Sequence, residues 1–169
     1  MKKYSNKAMF KSIVMMSALS LSSMTFAQDN TLSVVEKSQG WQLLFNGSDM
    51  SKWRNFKKPE LSSKWRIEND AMVLAEKGAG DILTKEIFKN FDLRLDWKIA
   101  KAGNSGIFVL VDELGGSVYS HAPEVQILDN ERHADNKLAS HLSGSIYDMI
   151  ASPVDSQRPA GQWNQVRIV

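Results

Sequence analysis

FDLRLDWKI, residues 91–99, decides the fold. Phe91, Leu93, Leu95, Trp97 and Ile99 fall on one side of an extended chain, and Asp92, Arg94, Asp96 and Lys98 fall on the other. A helix would need apolar residues three and four apart; strict alternation makes a half-buried β-strand. Further strands are expected on both sides of this one. Trp41, Leu43 and Phe45 alternate before the turn signal Asn46-Gly47. Trp65 and Ile67, then Met72 and Leu74, read as a hairpin about Asn69-Asp70. GDILTKE, IFVLVDE, PEVQILD, SGSIYDMIA and RPAGQWNQVRIV supply the rest, with the polar segment 130–143 as a short helix or an ordered loop. No long amphipathic helix, repeat or low-complexity linker interrupts them. Short strands divided by turn signals predict an all-β sandwich.

The amino terminus reads differently. Lys2, Lys3, Lys7 and Lys11 precede the short apolar run SIVMMSALSLSSM, and TFA ends at Ala27 with small residues at the cleavage positions. This predicts a cleavable signal peptide over 1–27, since the run is too short and serine-rich to span a bilayer core. A flexible segment is expected over 28–38 and the sandwich domain over 39–169. Four of the 21 basic residues and none of the 19 acidic ones lie in 1–27, so the remainder carries a net charge of −2. No basic patch is left to argue for nucleic acid or anionic lipid. The chain has no cysteine, which excludes disulfides and an acylated lipobox cysteine. The expected location is the periplasm or the exterior of a bacterium, with no membrane association after cleavage. The strand pattern runs out at Val169 with no turn or polar tail, so a sandwich truncated at its carboxyl end is expected.

Residues 123–133, PEVQILDNERH, concentrate the chemistry. With Val125 and Ile127 in the core, Glu124 and Gln126 point outward together, and Asp129 and His133 follow just beyond the strand. Arg94, Asp96 and Lys98 are expected to line an equivalent face. Carboxylate, amide and imidazole groups together suit a sugar site, where planar polar groups hold hydroxyls and acid–base groups act on bonds. GNSG (Gly103–Gly106) reads either as a plain turn or as a sheet mouth where Asn104 holds a polar ligand. Trp53, in a polar stretch, is the candidate exposed platform for a sugar ring. His121, His133 and His141, with Asp129 or Asp135, offer a metal set on paper, but spacings of twelve and eight fit no tight ligand motif. No metal or other cofactor is called for. A phosphate-binding Gly-rich loop, a G-x-S-x-G elbow and a cysteine nucleophile are all missing, and Gln126 stands where a double-carboxylate glycosidase would carry Asp.

LLFNGSDMSKW, GNSGIF, PEVQILDN with the His and Asp beyond it, GSIYD and RPAGQWNQVRI, in this order, resemble the 3-keto-disaccharide hydrolase domain family over about residues 39–169. The resemblance implies a concanavalin-like jelly roll and action on 3-keto-glycosides. It implies a base that takes the C2 proton acidified by the C3 ketone, elimination of the aglycone from C1, and hydration of the enone. On this chain it implies Glu124 as general base or acid, His133 and Asp129 as further acid–base candidates, and Gln126 and Asn104 as holders of hydroxyls or the developing oxyanion. Tyr147 and Asp148 would complete the substrate site. The partner is a carbohydrate, with sugar 3-dehydrogenases acting upstream. Many members carry Arg near the position of Leu110, and the family domain continues with further strands past the WN segment. A non-catalytic, lectin-like carbohydrate-binding module is the alternative: it needs the same polar hollow and no proton transfer.

Overall fold

The computed structural model describes residues 29–169, so the signal segment 1–27 lies outside the described residues. One short helix, α1 (Val34–Ser38), precedes eight strands: β1 (Trp53–Asn55), β2 (Trp65–Glu68), β3 (Ala71–Leu74), β4 (Ile82–Thr84), β5 (Leu93–Trp97), β6 (Asn104–Phe108), β7 (Glu124–Leu128) and β8 (Asn164–Ile168). Single 3₁₀ turns occupy Val118–Ser120 and Ala139–His141. The strands join in four antiparallel ribbons, β1 with β4, β2 with β3, β5 with β8 and β6 with β7. The all-β class expected from the alternation holds, and the arrangement is consistent with a jelly roll. No helix among the described residues is long and apolar enough to cross a membrane.

β5 behaves as its sequence dictates: Leu93, Leu95 and Trp97 are half-buried while Arg94 and Asp96 are exposed. Its partner comes from the far end of the chain, with Leu93 opposite Ile168 and Leu95 opposite Val166, so the apolar residues of both strands share a face. The other face sets Arg94 opposite Arg167, a like-charge pair that would repel. Asp92 relieves it, taking both Arg167 Nε and an Arg167 terminal nitrogen at 2.8 Å and lying 3.9 Å from Arg94. Arg94 also covers the Trp41 ring at 4.0 Å, and Lys98 covers Trp163 at 4.7 Å. Arg94 and Lys98 are therefore engaged with neighbouring aromatic rings.

Three expected elements take another form. Residues 41–45 are irregular: Lys52 Nζ donates to Leu43 O, Trp53 Nε1 donates to Leu44 O, and Asn46 Oδ1 accepts from the Ser48 and Asp49 amides. Side chains there satisfy the backbone that a ladder would otherwise pair. The apolar run after Gly106 stops as a strand at Phe108, because Leu110 adopts a left-handed φ of 56° that no strand accommodates. Segment 146–150 forms isolated bridges, Val125 to Ile146 and Ile146 to Ile150, instead of a strand. Within the expected flexible segment, residues 34–38 are helical, closed by a capping box between Ser33 and Glu36.

β7 is the buried centre of what is described. Gln126, Ile127, Leu128 and Asp129 are all buried, Leu128 completely. One edge pairs with β6; the other is covered by segment 142–147, where the Gln126 amide donates to Ser145 O and the Gly144 amide to Gln126 O, both at 2.9 Å. The expected split, with 125 and 127 inside and 124 and 126 outside, is thus corrected: from Gln126 onward both faces are covered.

The β2–β3 hairpin is the clearest local fit between residue and geometry. Asn69 and Asp70 have φ of 50° and 58°, the two left-handed positions of a type I′ turn, which Asn and Asp tolerate best after Gly. Asn69→Val is expected to lower stability by about 1–2 kcal/mol, with Asp70→Gly neutral or stabilising, as read by urea unfolding.

Candidate functional site

The site grows from one close approach. β6 and β7 pair with Phe108 opposite Glu124, Gly106 opposite Gln126 and Asn104 opposite Leu128, which puts all six positions on one face of the ribbon. The Glu124 side chain lies across β6 at Gly106. A Cβ on Gly106 would stand 1.9 Å from Glu124 Oε1 and 2.6 Å from its carboxyl carbon. Only glycine leaves that space. Burial is the main force pushing the Glu124 carboxyl above the usual carboxylate range, and the charges of Asp81 and Asp135 add to it. The carboxyl accepts no hydrogen bond from another described residue. Gln126 is 2% exposed, and its Oε1 accepts from the Ile127 amide at 2.9 Å, so its free end is a pure donor.

A hydrogen-bonded network closes one side of Glu124. The Tyr147 amide donates to Glu124 O at 2.9 Å. The Tyr147 hydroxyl donates to Asp135 Oδ2 at 2.9 Å, and this bond to a carboxylate, helped by burial, pushes the phenol up to about 12. Asp135 Oδ1 lies 2.9 Å from His141 Nδ1, and His141 Nε2 lies 3.2 Å from Asp148 Oδ1. The bonds from His141 and Tyr147 hold the Asp135 carboxyl below its usual range, and the bonds to Asp135 and Asp148 hold His141 above its own. His133 joins at the edge, its Nδ1 accepting from the Asp135 amide at 3.1 Å. The arrangement offers a carboxyl with a raised proton affinity, a neutral phenol and amide donors on one surface, which is equipment for moving a proton beside a polar ligand.

The residues singled out in the sequence divide accordingly. Glu124, Gln126, Tyr147, Asp148 and His133 come together, and Asn104 shares the Glu124 face two residues beyond Gly106, exposed. Asp129 sits 1% exposed with its carboxylate turned to the backbone: Oδ2 accepts from the Ala102 amide at 2.7 Å and Oδ1 from the Glu131 amide at 3.2 Å. Those bonds hold its pKa down and fasten the turn before β6 to the end of β7. Acid–base work is therefore reassigned away from it. Trp53 is half-buried with its indole N–H on Leu44 O, at the end of the β1–β4 ribbon opposite the one that Asp81 adjoins. This geometry leaves it anchored, not free as a platform.

Asp81, Asp135, His141 and Gly106 were not anticipated as site residues. Asp135 and His141 surfaced only as a poor metal set, and among the described residues no group of three or more His, Cys, Asp and Glu could hold a metal ion. Gly106 was visible only as turn composition. A shallow depression lined by Arg54, Lys57, Lys58, Pro59 and Glu113 is separate from this cluster. Arg54 and Glu113 pair with each other there: Glu113 takes both Arg54 terminal nitrogens at 2.8 Å and the Lys57 amide, and is pushed down to about 2.

Asp129→Ala is expected to lower stability by leaving the partly buried Ala102 and Glu131 amides without their acceptor, read by urea unfolding. Because its folded pKa lies below 3.8, the Asp129 contribution is present above that value and disappears as pH falls through the folded pKa.

The family model of the 3-keto-alpha-glucoside-1,2-lyase-like domain matches residues 40–169. A 3-keto-disaccharide hydrolase of Bacteroides thetaiotaomicron is 33% identical over 168 residues, covering 87% of this chain and 58% of that protein. The chain thus spans little more than half of this curated relative. A crystal structure of a candidate glycosyl hydrolase from Parabacteroides distasonis superposes with a TM-score of 0.72 at 30% identity, over 83% of this chain and 68% of the other. A second from the same organism gives 0.55 at 28% identity, over 73% and 50%. With the family model matched from Gly40 to Val169, this chain belongs to the family of 3-keto-alpha-glucoside-1,2-lyase-like domains.

Proposed function

We propose that this chain carries the site of an exported enzyme that cleaves 3-keto-glycosides by proton abstraction, elimination and hydration. The observation that carries this reading is the Glu124 carboxyl, laid over Gly106, raised in proton affinity and unclaimed by any described donor. A carboxylate bound up in ion pairs is a poor base; one whose charge is opposed by burial and by two neighbouring acids is a better one.

In the proposed reaction, Glu124 takes the proton from C2, and the C2–H electron pair moves into an enolate with its charge on the C3 oxygen. The donor ends of Gln126 and Asn104 face that oxygen or the flanking hydroxyls. The enolate collapses, the C1–O bond breaks, and the aglycone oxygen leaves with the proton that Glu124 took from C2. Water then adds across the enone: its oxygen bonds to C1, Glu124 takes its proton, and Glu124 passes that proton to C2. Tyr147, neutral at every physiological pH, supplies a polar group beside Glu124 that adds no charge. The substrate must already be oxidised at C3, which calls for a sugar 3-dehydrogenase upstream. Export rests on the signal segment 1–27. The family match and the 3-keto-disaccharide hydrolase from Bacteroides thetaiotaomicron support the substrate class.

Glu124→Gln is expected to lower kcat on p-nitrophenyl 3-keto-alpha-glucoside by about 10²–10⁴-fold while substrate affinity is kept. Undiminished turnover would remove Glu124 from the reaction, and binding without turnover by the wild type would favour the lectin-like module. The same variant is expected to be no less stable than wild type near neutral pH. A folded pKa raised above 4.5 means that ionisation costs stability, increasingly as pH rises from 4.5 through the folded pKa, and Gln removes that cost. Gly106→Ala is expected to fold, because the clashing atoms end a flexible side chain, yet to lose about 10²-fold in kcat as Glu124 is displaced.

A further inference from the structure

His141 is a group that the proposed reaction leaves unused, and both of its ring nitrogens are engaged. Its two ring nitrogens reach Asp135 at 2.9 Å and Asp148 at 3.2 Å, and the Tyr147 ring stacks on it with centroids 4.3 Å apart at 22°. The side chain is 12% exposed. A neutral imidazole has one N–H and one lone pair, so it satisfies one carboxylate and turns a lone pair on the other; an imidazolium satisfies both. The second carboxylate also needs holding. Asp148 has φ 58°, a left-handed conformation uncommon outside Gly. Its amide donates to Ser140 O at 3.2 Å, and the preceding amide, that of Tyr147, donates to Glu124 O. Segment 146–150 is thus a tight loop strung between β7 and the 139–141 turn.

We infer that His141 is a positioning residue: as an imidazolium it bridges Asp135 to Asp148 and so fixes the Tyr147 hydroxyl beside Glu124. The consequence for turnover rests on the proposed role of Glu124; the bridge itself does not. The groups facing His141 are Asp135, with His133 behind it, from segment 129–138, Asp148 and Tyr147 from the 146–150 loop, and Glu124 from β7 on the far side of Tyr147. The two bonded carboxylates hold the ring proton above the usual 6.5. The bridge is therefore complete below 6.5 and comes apart as pH rises through the folded pKa of His141.

The test uses the full chain. Long-range ¹H–¹⁵N NMR of the His141 ring is expected to show both nitrogens protonated in acid and a midpoint above 6.5, moving down in Asp148→Asn. Hydrogen exchange at constant pH is expected to show the Tyr147 and Asp148 amides losing about tenfold in protection in His141→Gln while distant strands keep theirs. With p-nitrophenyl 3-keto-alpha-glucoside, the alkaline limb of kcat in Asp148→Asn is expected to move down together with the NMR midpoint. Unchanged protection in His141→Gln, a wild-type midpoint at or below 6.5, or an alkaline limb that stays while the midpoint moves would overturn the inference. Absent turnover alongside the expected titration and exchange would uphold the bridge and reject the proposed reaction instead.

Discussion

The space above Gly106 is what the rest of the site depends on. A strand residue without a side chain lets the Glu124 carboxyl lie down on its neighbour strand instead of standing out into water. Lying there, it loses hydration and comes under the charges of Asp81 and Asp135, which reach it from other parts of the chain. The energetic sign is unfavourable for folding, as is usual where a group is kept for its reactivity. The surrounding structure bears that cost through ordinary means: the β6–β7 ladder, the second edge of β7 held by segment 142–147, and the fully buried Leu128.

Two carboxylates that looked interchangeable in the sequence do opposite things. Asp129 is the more buried, yet its pKa goes down, because backbone amides from two turns point at it. Glu124 is less buried, and its pKa goes up, because no donor offsets its burial and its charged neighbours have the same sign. Burial alone does not decide which acid is available for chemistry; the donors around it do. Asp129 is best seen as the fastening that sets the turn before β6, and hence the register that brings Gly106 under Glu124.

The fold was legible where one residue pattern met one local geometry. The alternation of 91–99 gave β5 and its two unlike faces, and Asn69-Asp70 gave a type I′ hairpin. It was not legible where side chains replaced backbone pairing, as at Leu43 and Leu44, or where a left-handed residue cut a strand short, as at Leu110. Part of the site was readable because Glu124 and Gln126 share a strand face at two-residue spacing. The network of Asp135, His141, Tyr147 and Asp148 was not. Its members lie in loops, where no period links position to direction, and the contacts among them are made by folding alone. Gly106 carried a real signal, a glycine inside a strand, but its neighbours Asn104 and Ser105 made it look like a turn.

The site stands on the proton affinity of one carboxyl group, and that can be measured without any substrate. A ¹³C NMR titration of the Glu124 side-chain carboxyl in the full chain reads it directly. The midpoint is expected above the ordinary value of 4.5, returning toward that value when Gly106→Ala moves the carboxyl off its neighbour strand. A midpoint at or below 4.5 in the wild type would contradict it.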